Sequence, residues 1–258
     1  MESIVNYTYD QFHVGDLLAM KSDLKLSVLI PARNEAATIA DIINVIRSDF
    51  MEDTELIDEV IVINDASTDG TSVAARSAGA SVIDLETKNG NPFGKGAALR
   101  KGIEASKGDI LLFLDGDVRN FSGRFITAMV GPLLCSQNIV LCKPKYKRSD
   151  GATSFGGGRV TELVAKPSLG LLLPVLSQLE QPLAGESALR REVLEKILIE
   201  DNYKVEIALL IDVYNCYGIE AIAQVDLGER YHNSRDLMDL VPTAKDVLEV
   251  IFDRLITK

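Results

Sequence analysis

The sequence predicts an α/β fold with a Rossmann-like, mostly parallel central sheet flanked by helices. Three observations carry this. Short apolar runs recur from residue 26 to residue 145, and helix-spaced segments separate them. That alternation implies βαβ units and a parallel sheet. Polar runs rich in Gly, Asp and Asn follow the apolar runs, at the places where right-handed crossovers gather the strand-to-helix loops on one edge. Open α/β sheets bind their ligands at that edge.

The elements follow in order. Residues 26–30 (LSVLI) form a strand stopped by Pro31, and Ile39, Ile42, Ile43 and Ile46 then take helical spacing. EVIVIN (59–64) is a second strand, with a helix near 70–78, and ASVIDL (80–85) a third. ETKNGNPFG leads into a helix from about Lys95 to Ser106. DILLFLD (109–115) is a strand with a helix near 122–130 after it, and NIVLCKPK (138–145) is another strand. The second half is less regular. RVTELVAKPSLGLLL (159–173) reads as a helix, QPLAGES (181–187) as a turn before a short helix near 190–198, and VEIALLIDVYNCYG (205–218) as a helix with a glycine stop. EAIAQVDLG (220–228) is a strand. Leu248, Ile251, Phe252 and Leu255 mark the apolar face of a last helix, packed on the body or on a partner. With no linker in view, residues 1–258 are expected to form a single domain, with 24–120 as one half and 121–258 as the other.

Composition narrows the function. Of 258 residues, 47 % are apolar, enough for a large core, and the absence of tryptophan makes that core aliphatic. The net charge of −11 argues against nucleic acid, whose binders carry a basic footprint. It leaves anionic substrates open, because a bound metal and local cations reverse the field inside a cleft. The three cysteines, Cys135, Cys142 and Cys216, lack metal-site spacing and read as reduced thiols of a cytoplasmic protein. The N-terminus does not resemble a secretory signal. LGLLLPVL is too short to span a bilayer, so no membrane partner is expected.

Asp115, Gly116 and Asp117 close an apolar run, and two carboxylates at a strand's carboxyl end can hold a hard divalent cation and, through it, a diphosphate. The bland alternative is a solvated Asp-Gly turn. Convergence of the loops that begin at Pro31, Asp65, Glu86 and Asp115 favours the binding reading. GNPFGKG is not a P-loop, because its glycine spacing is one short and no Ser or Thr follows Lys95. Lys95 opens a helix, where the dipole disfavours a cation, so a bound diphosphate would account for it.

Asn34 and Glu35 can bond a base or ribose, or simply begin a helix. Asp65 has the same two roles open, whereas Thr68 and Asp69 look more like caps of the next helix. In GGGRVTEL (156–163), Arg159 offers a planar fork for carboxylate or phosphate, and Thr161 a hydroxyl in a first helical turn. Glu206 either favours the start of its helix or binds a substrate hydroxyl. His232 is a metal ligand or a surface histidine. Lys143, Lys145, Lys147 and Arg148 line an anion entrance or are solvated.

Taken together, SVLIPARNE, NDASTDGT, GKGAALRKG and LFLDGD resemble the nucleotide-sugar half of a GT-A glycosyltransferase. GGGRVTELVAKPSLGLL, QPLAGESALRRE, YKVEIALLID and AIAQVDLGERYHN are more specific. They resemble the retaining GT-A family that glucosylates 3-phosphoglycerate, over about residues 24–237. The resemblance implies transfer of glucose from a nucleotide sugar, UDP-glucose, to 3-phosphoglycerate by a cytoplasmic homodimer using Mg2+ or Mn2+. By that match Pro31, Ala32, Asn34, Glu35 and Asp65 contact the nucleotide, Asp115 lies on the ribose side and Lys95 binds the diphosphate. Asp117 and His232 hold the metal. Gly158, Arg159, Thr161 and Asn233 hold the acceptor, and Glu206 the sugar hydroxyls. Asp117, Lys95, Arg159 and Glu206 form the catalytic set. One departure is local: Asn233 directly follows His232, where the family tends to place an Asn two residues on. Alternative readings are a GT-A transferase using GDP-mannose, GDP-glucose or a polyprenyl-phosphate acceptor, and a non-catalytic nucleotide-sugar sensor.

Overall fold

The structure is a computed structural model and describes residues 3–87, 90–149, 158–231 and 236–255. The chain runs through β1 (Val5–Thr8), α1 (Val14–Lys21), β2 (Leu26–Ala32), α2 (Ile39–Arg47), β3 (Glu59–Asp65) and α3 (Thr71–Ser77). It continues through β4 (Ser81–Leu85), α4 (Lys95–Ala105), β5 (Ile110–Phe113), α5 (Arg124–Cys135) and β6 (Leu141–Ser149). Then come α6 (Lys166–Leu172), β7 (Ser187–Arg190), α7 (Val205–Tyr217), β8 (Ile222–Tyr231) and α8 (Val241–Leu255). Among the described residues the strands form one eight-stranded sheet in the order β1-β8-β6-β7-β5-β2-β3-β4.

Helices cover both faces, as a parallel sheet requires. Val28 and Ile30 of β2 pack into one layer with α1, α2, α3 and α5, while Leu29 between them points into the other with α4, α6, α7 and α8. The alternation along one strand thus feeds two cores. The isoleucines read as a helical face, Ile39, Ile42, Ile43 and Ile46, are all fully buried.

The sheet departs from the expectation at two places, β1 and β7. β1, paired in parallel with β8, adds an edge strand from a segment too short and too polar to read as one. β7 runs antiparallel to both β5 and β6, where a turn was expected across its first residue, Ser187. Its apolar content is only Ala188 and Leu189, too little to show period two. The short helix expected near 190–198 is a single 3₁₀ turn, Arg191–Glu195. Residues Thr161–Ala165 form a π-helical turn that leads directly into α6, so the helix expected over 159–173 is broken in register near its start. The buried face of α8 is Val247, Val250 and Ile251, against α7. Of the face expected to pack on the body or on a partner, Ile251 is buried here, whereas Leu248 and Phe252 are exposed.

Candidate active site

The carboxyl ends of β2, β3 and β5 open on a cleft of about 770 Å³. Pro31 and Ala32 end β2, with Asn34 and Glu35 just beyond; Asp65 ends β3; Asp115 and Asp117 follow β5. All of them line the cleft. Lys95 at the start of α4, Glu206 in the first turn of α7, and Gly158, Arg159 and Thr161 complete it. Sequence reasoning therefore named residues that the fold brings together from six separate segments. Glu86 itself is exposed and is not part of the lining, but the loop it begins reaches the cleft through Pro92, Gly94 and Lys95, as expected. His232 and Asn233 lie outside the described residues.

Two loops shape the cleft beside β2 and β3. Asn34 takes a left-handed backbone (φ 59°), held by its amide on Ser67 Oγ at 2.9 Å and by its Oδ1 accepting the Thr68 amide at 2.8 Å. Asp69 accepts the amide of Thr71, the first residue of α3, at 2.9 Å, which is the capping role expected of it. Thr68 does not cap; it is tied to Asn34. Asp65 accepts two backbone amides, from Phe93 and Gly94, each at 2.8 Å. Its carboxylate thus fastens the loop that delivers Lys95.

The floor is a charged cluster. Lys95 Nζ lies 2.6 Å from Asp115 Oδ1 and 2.8 Å from Glu206 Oε1. These two carboxylates offset the unfavourable dipole at a helix start. Burial works against the ammonium, but Asp115 and Glu206 outweigh it and hold the Lys95 pKa well above its ordinary value. Gly185 makes room for the pair: a Cβ there would sit 2.2 Å from both Asp115 Oδ1 and Lys95 Nζ.

Arg230 is the residue that sequence reasoning passed over. It is 2 % exposed at the end of β8. Its guanidinium meets Glu186 Oε1 at 2.5 Å, Asp115 Oδ2 at 3.0 Å and Asp117 Oδ1 at 2.8 Å. Glu186, fully buried, also accepts the Tyr146 hydroxyl at 3.0 Å. Arg148 stacks on the Tyr146 ring at 5.2 Å, donates to Gln181 Oε1 at 3.1 Å and lines the cleft beside Gly158. The signal was in the pairing. Arg148 and Arg230 are opposite each other on β6 and β8. Like charges opposite on neighbouring strands require carboxylates nearby. Of the basic cluster in β6, only Arg148 lines the cleft; Lys143 is buried and Lys145 pairs with Glu180 at 2.7 Å.

The donor set suits a hard cation in one respect. Asp115 is engaged by Lys95 and Arg230; Asp117 also bonds Arg230 through Oδ1, but it is about a third exposed and lines the cleft as a carboxylate. Among the described residues no group of three His, Cys, Asp or Glu side chains gathers to hold a metal, and His232, the second ligand expected from the sequence, lies outside the described residues.

This sheet order, with a cleft at the carboxyl ends of β2, β3 and β5 and acidic residues after β5, is that of a GT-A glycosyltransferase. The model of the glycosyl transferase family 2 matches residues 27–198, and the chain belongs to that family. Among its relatives, the glucosyl-3-phosphoglycerate synthase of Mycobacterium tuberculosis H37Rv is 41 % identical over 93 % of this chain and 76 % of its own length. The synthase of Petrotoga mobilis is also 41 % identical, over 92 % of this chain and 75 % of its own. The M. tuberculosis synthase solved with Mg2+ and uridine diphosphate superposes with a TM-score of 0.89 at 37 % identity, covering 99 % of this chain and 88 % of that one. The same enzyme solved with Mn2+, UDP-glucose and phosphoglyceric acid gives 0.88 at 38 % identity, over 98 % and 88 %.

Proposed function

We propose that this chain transfers glucose from UDP-glucose to 3-phosphoglycerate with retention of the anomeric configuration, using Mg2+ or Mn2+. One observation carries the reading. A single cleft is lined by the loops after β2 and β3, by the Lys95–Asp115–Glu206 cluster and by the Gly158–Thr161 turn. This matches the ligands named in the solved relatives: metal, UDP-glucose and phosphoglyceric acid.

Asp117 would hold the cation, with His232 as the second protein ligand. A divalent cation there supplies Lewis-acid neutralisation of the charge on the departing diphosphate. The chain's own groups do the rest. Lys95 presents positive charge towards the diphosphate oxygens, which stabilises the leaving group electrostatically, and Arg230 acts through Asp115 and Asp117, which it holds in place. Pro31, Ala32, Asn34 and Glu35 receive the nucleoside. Asp65 acts through the loop it clamps, and Asp115 holds Lys95 on the ribose side. Gly158, Arg159, Thr161 and Asn233 orient the acceptor, whose hydroxyl attacks the anomeric carbon from the face the diphosphate leaves. The hydroxyl proton goes to the departing phosphate oxygen. Front-face attack is favoured because Glu206 and Asp115 are both committed to Lys95 and are poor nucleophiles in that state. Glu206 meets the sugar hydroxyls.

The protein acts as one domain, with residues 24–120 receiving the donor and 121–258 the acceptor. It works in the cytoplasm as a homodimer. Among the described residues no helix is long and apolar enough to cross a membrane. The apolar side of α8 left outward, Leu248 and Phe252, supports self-association. The test is a panel of UDP- and GDP-linked glucose and mannose, assayed with 3-phosphoglycerate and Mg2+. Formation of α-linked glucosyl-3-phosphoglycerate from UDP-glucose is the expected result. Preference for GDP-mannose, or donor hydrolysis without transfer, would replace the reading.

A further inference from the structure

Lys143 carries a buried charge for which the transfer reaction described above has no use. It lies in β6 and is only 1 % exposed, so its ammonium has no water to face. A buried cation is costly unless it is bonded and compensated. Nζ donates to the carbonyl of Ala184 at 2.6 Å. The charged groups around it come from four other parts of the chain: Glu206 on α7, Lys95 on α4, Glu186 just before β7, and Asp115 after β5. Its neighbour Cys142 is buried, which pushes that thiol's pKa up and keeps it neutral.

The bonded carbonyl has a particular place. Ala184 begins a three-residue segment whose next two members both bear on the cleft floor. Gly185 packs against the Lys95–Asp115 pair with no room for a methyl group. Glu186 holds Arg230 and, through it, Asp117. A side chain that sets the height of Ala184 therefore sets two contacts under the reacting centre.

We propose that Lys143 is a positioning residue for the transfer, pinning the Ala184–Glu186 segment beneath Lys95, Asp115 and Arg230. This rests on the function proposed above. Lys143 touches no substrate; it acts through the backbone it holds. Burial, only partly offset by Glu206, pushes its pKa down to about 8. Above that pH the neutral amine is a weaker donor to Ala184, and the surrounding carboxylates lose a compensating charge. The same shift has an opposite effect on stability. A lysine whose folded pKa lies below its unfolded value binds more protons unfolded, so the fold gains stability as pH rises between the two. Turnover and stability should therefore move in opposite directions across this window.

The test compares the full-length wild type with Lys143→Met, which keeps the apolar stem and removes the ammonium. With UDP-glucose and 3-phosphoglycerate saturating, kcat of the variant should fall about 10- to 100-fold while both KM values stay within about threefold, as for a small misplacement of reacting groups. Wild-type kcat should fall above about pH 8. The variant should lack that limb, and the wild-type melting temperature should rise relative to it between about pH 8 and 10. Amide exchange of residues 183–187 should speed up in the variant and stay unchanged in α2 and α3. Unchanged kcat, an alkaline limb that persists in Lys143→Met, or unaltered exchange would overturn the proposal. If the variant does not fold, a wild-type kcat that stays flat from pH 7 to about 9.5 does so instead. If the wild type transfers no sugar to 3-phosphoglycerate, the proposed function fails, and the exchange comparison still judges the pin.

Discussion

Arg230 reaches Asp117 across 2.8 Å from a position almost closed to solvent. The same guanidinium binds Asp115 and Glu186, so three carboxylates from two segments, 115–117 and Glu186, meet one buried cation. Removing one member of such a set leaves uncompensated charge, at a cost of about 3–5 kcal/mol. Arg230→Met is therefore expected to lower the melting temperature by roughly 6–15 °C for a chain of this size. Arg230→Lys keeps a charge but not the planar fork, so it should recover part of the stability and little of the turnover. Calorimetry alongside a UDP-release assay checks both. A melting temperature unchanged in Arg230→Met would show that the cluster is not held by this residue.

Gly185→Ala tests the closeness of the floor. A methyl group would lie 2.2 Å from Asp115 Oδ1 and from Lys95 Nζ, so either the pair or the backbone must move. Displacements near 1 Å cost about 100-fold when reacting groups are aligned. The expected result is a fall in kcat of that order with far-ultraviolet circular dichroism unchanged. Wild-type turnover in Gly185→Ala would mean that the Lys95–Asp115 geometry is not critical.

Asp115 also predicts the response to acid. Burial opposes its ionisation, but Lys95 and Arg230 outweigh burial and hold the carboxyl well below the usual carboxylate range. A lowered folded pKa gives stability that is complete above the unfolded value of about 4 and is lost as pH falls towards the folded one. Below about pH 4 the wild type should thus lose progressively more of its advantage over Asp115→Asn, which cannot ionise, and the loss should continue below about pH 3. Parallel melting curves at several pH values test this. An advantage that stayed constant across the window would contradict the assignment.

How far the sequence could be read follows from how each residue is held. The strands of the first half and the helix of Ile39 to Ile46 were legible because burial on both sides of a parallel sheet makes nearly continuous apolar runs. The loops on its carboxyl edge were legible for the same reason, since topology alone gathers them. β7 was hidden because it is four residues long with polar ends, and its place in the sheet is set by β5 and β6 rather than by its own pattern. Arg230 and Glu186 were hidden because a buried ion pair appears in sequence as two unrelated polar residues, 44 positions apart. Asp65 was visible as a residue at the right edge. That its oxygens are occupied by the amides of Phe93 and Gly94 is a fact of loop geometry.

Arg159 and Asp65 separate the two substrates. In the proposed function Arg159 and Thr161 orient the acceptor, whereas Asp65, which accepts the amides of Phe93 and Gly94, acts on the donor through the loop before Lys95. Arg159→Ala removes a charge-assisted contact worth about 1.5–3 kcal/mol, so the KM for 3-phosphoglycerate should rise about 10- to 150-fold while the KM for UDP-glucose changes little. Asp65→Asn keeps the size but can accept only one of the two amides, which loosens the delivery of Lys95. It should act on kcat and on the donor KM, and leave the acceptor KM near its wild-type value. Steady-state kinetics with each substrate varied in turn measures all four constants. If Arg159→Ala moved the donor constant instead, the turn at Gly158–Thr161 would belong to the nucleotide sugar, and the acceptor would have to enter elsewhere in the cleft.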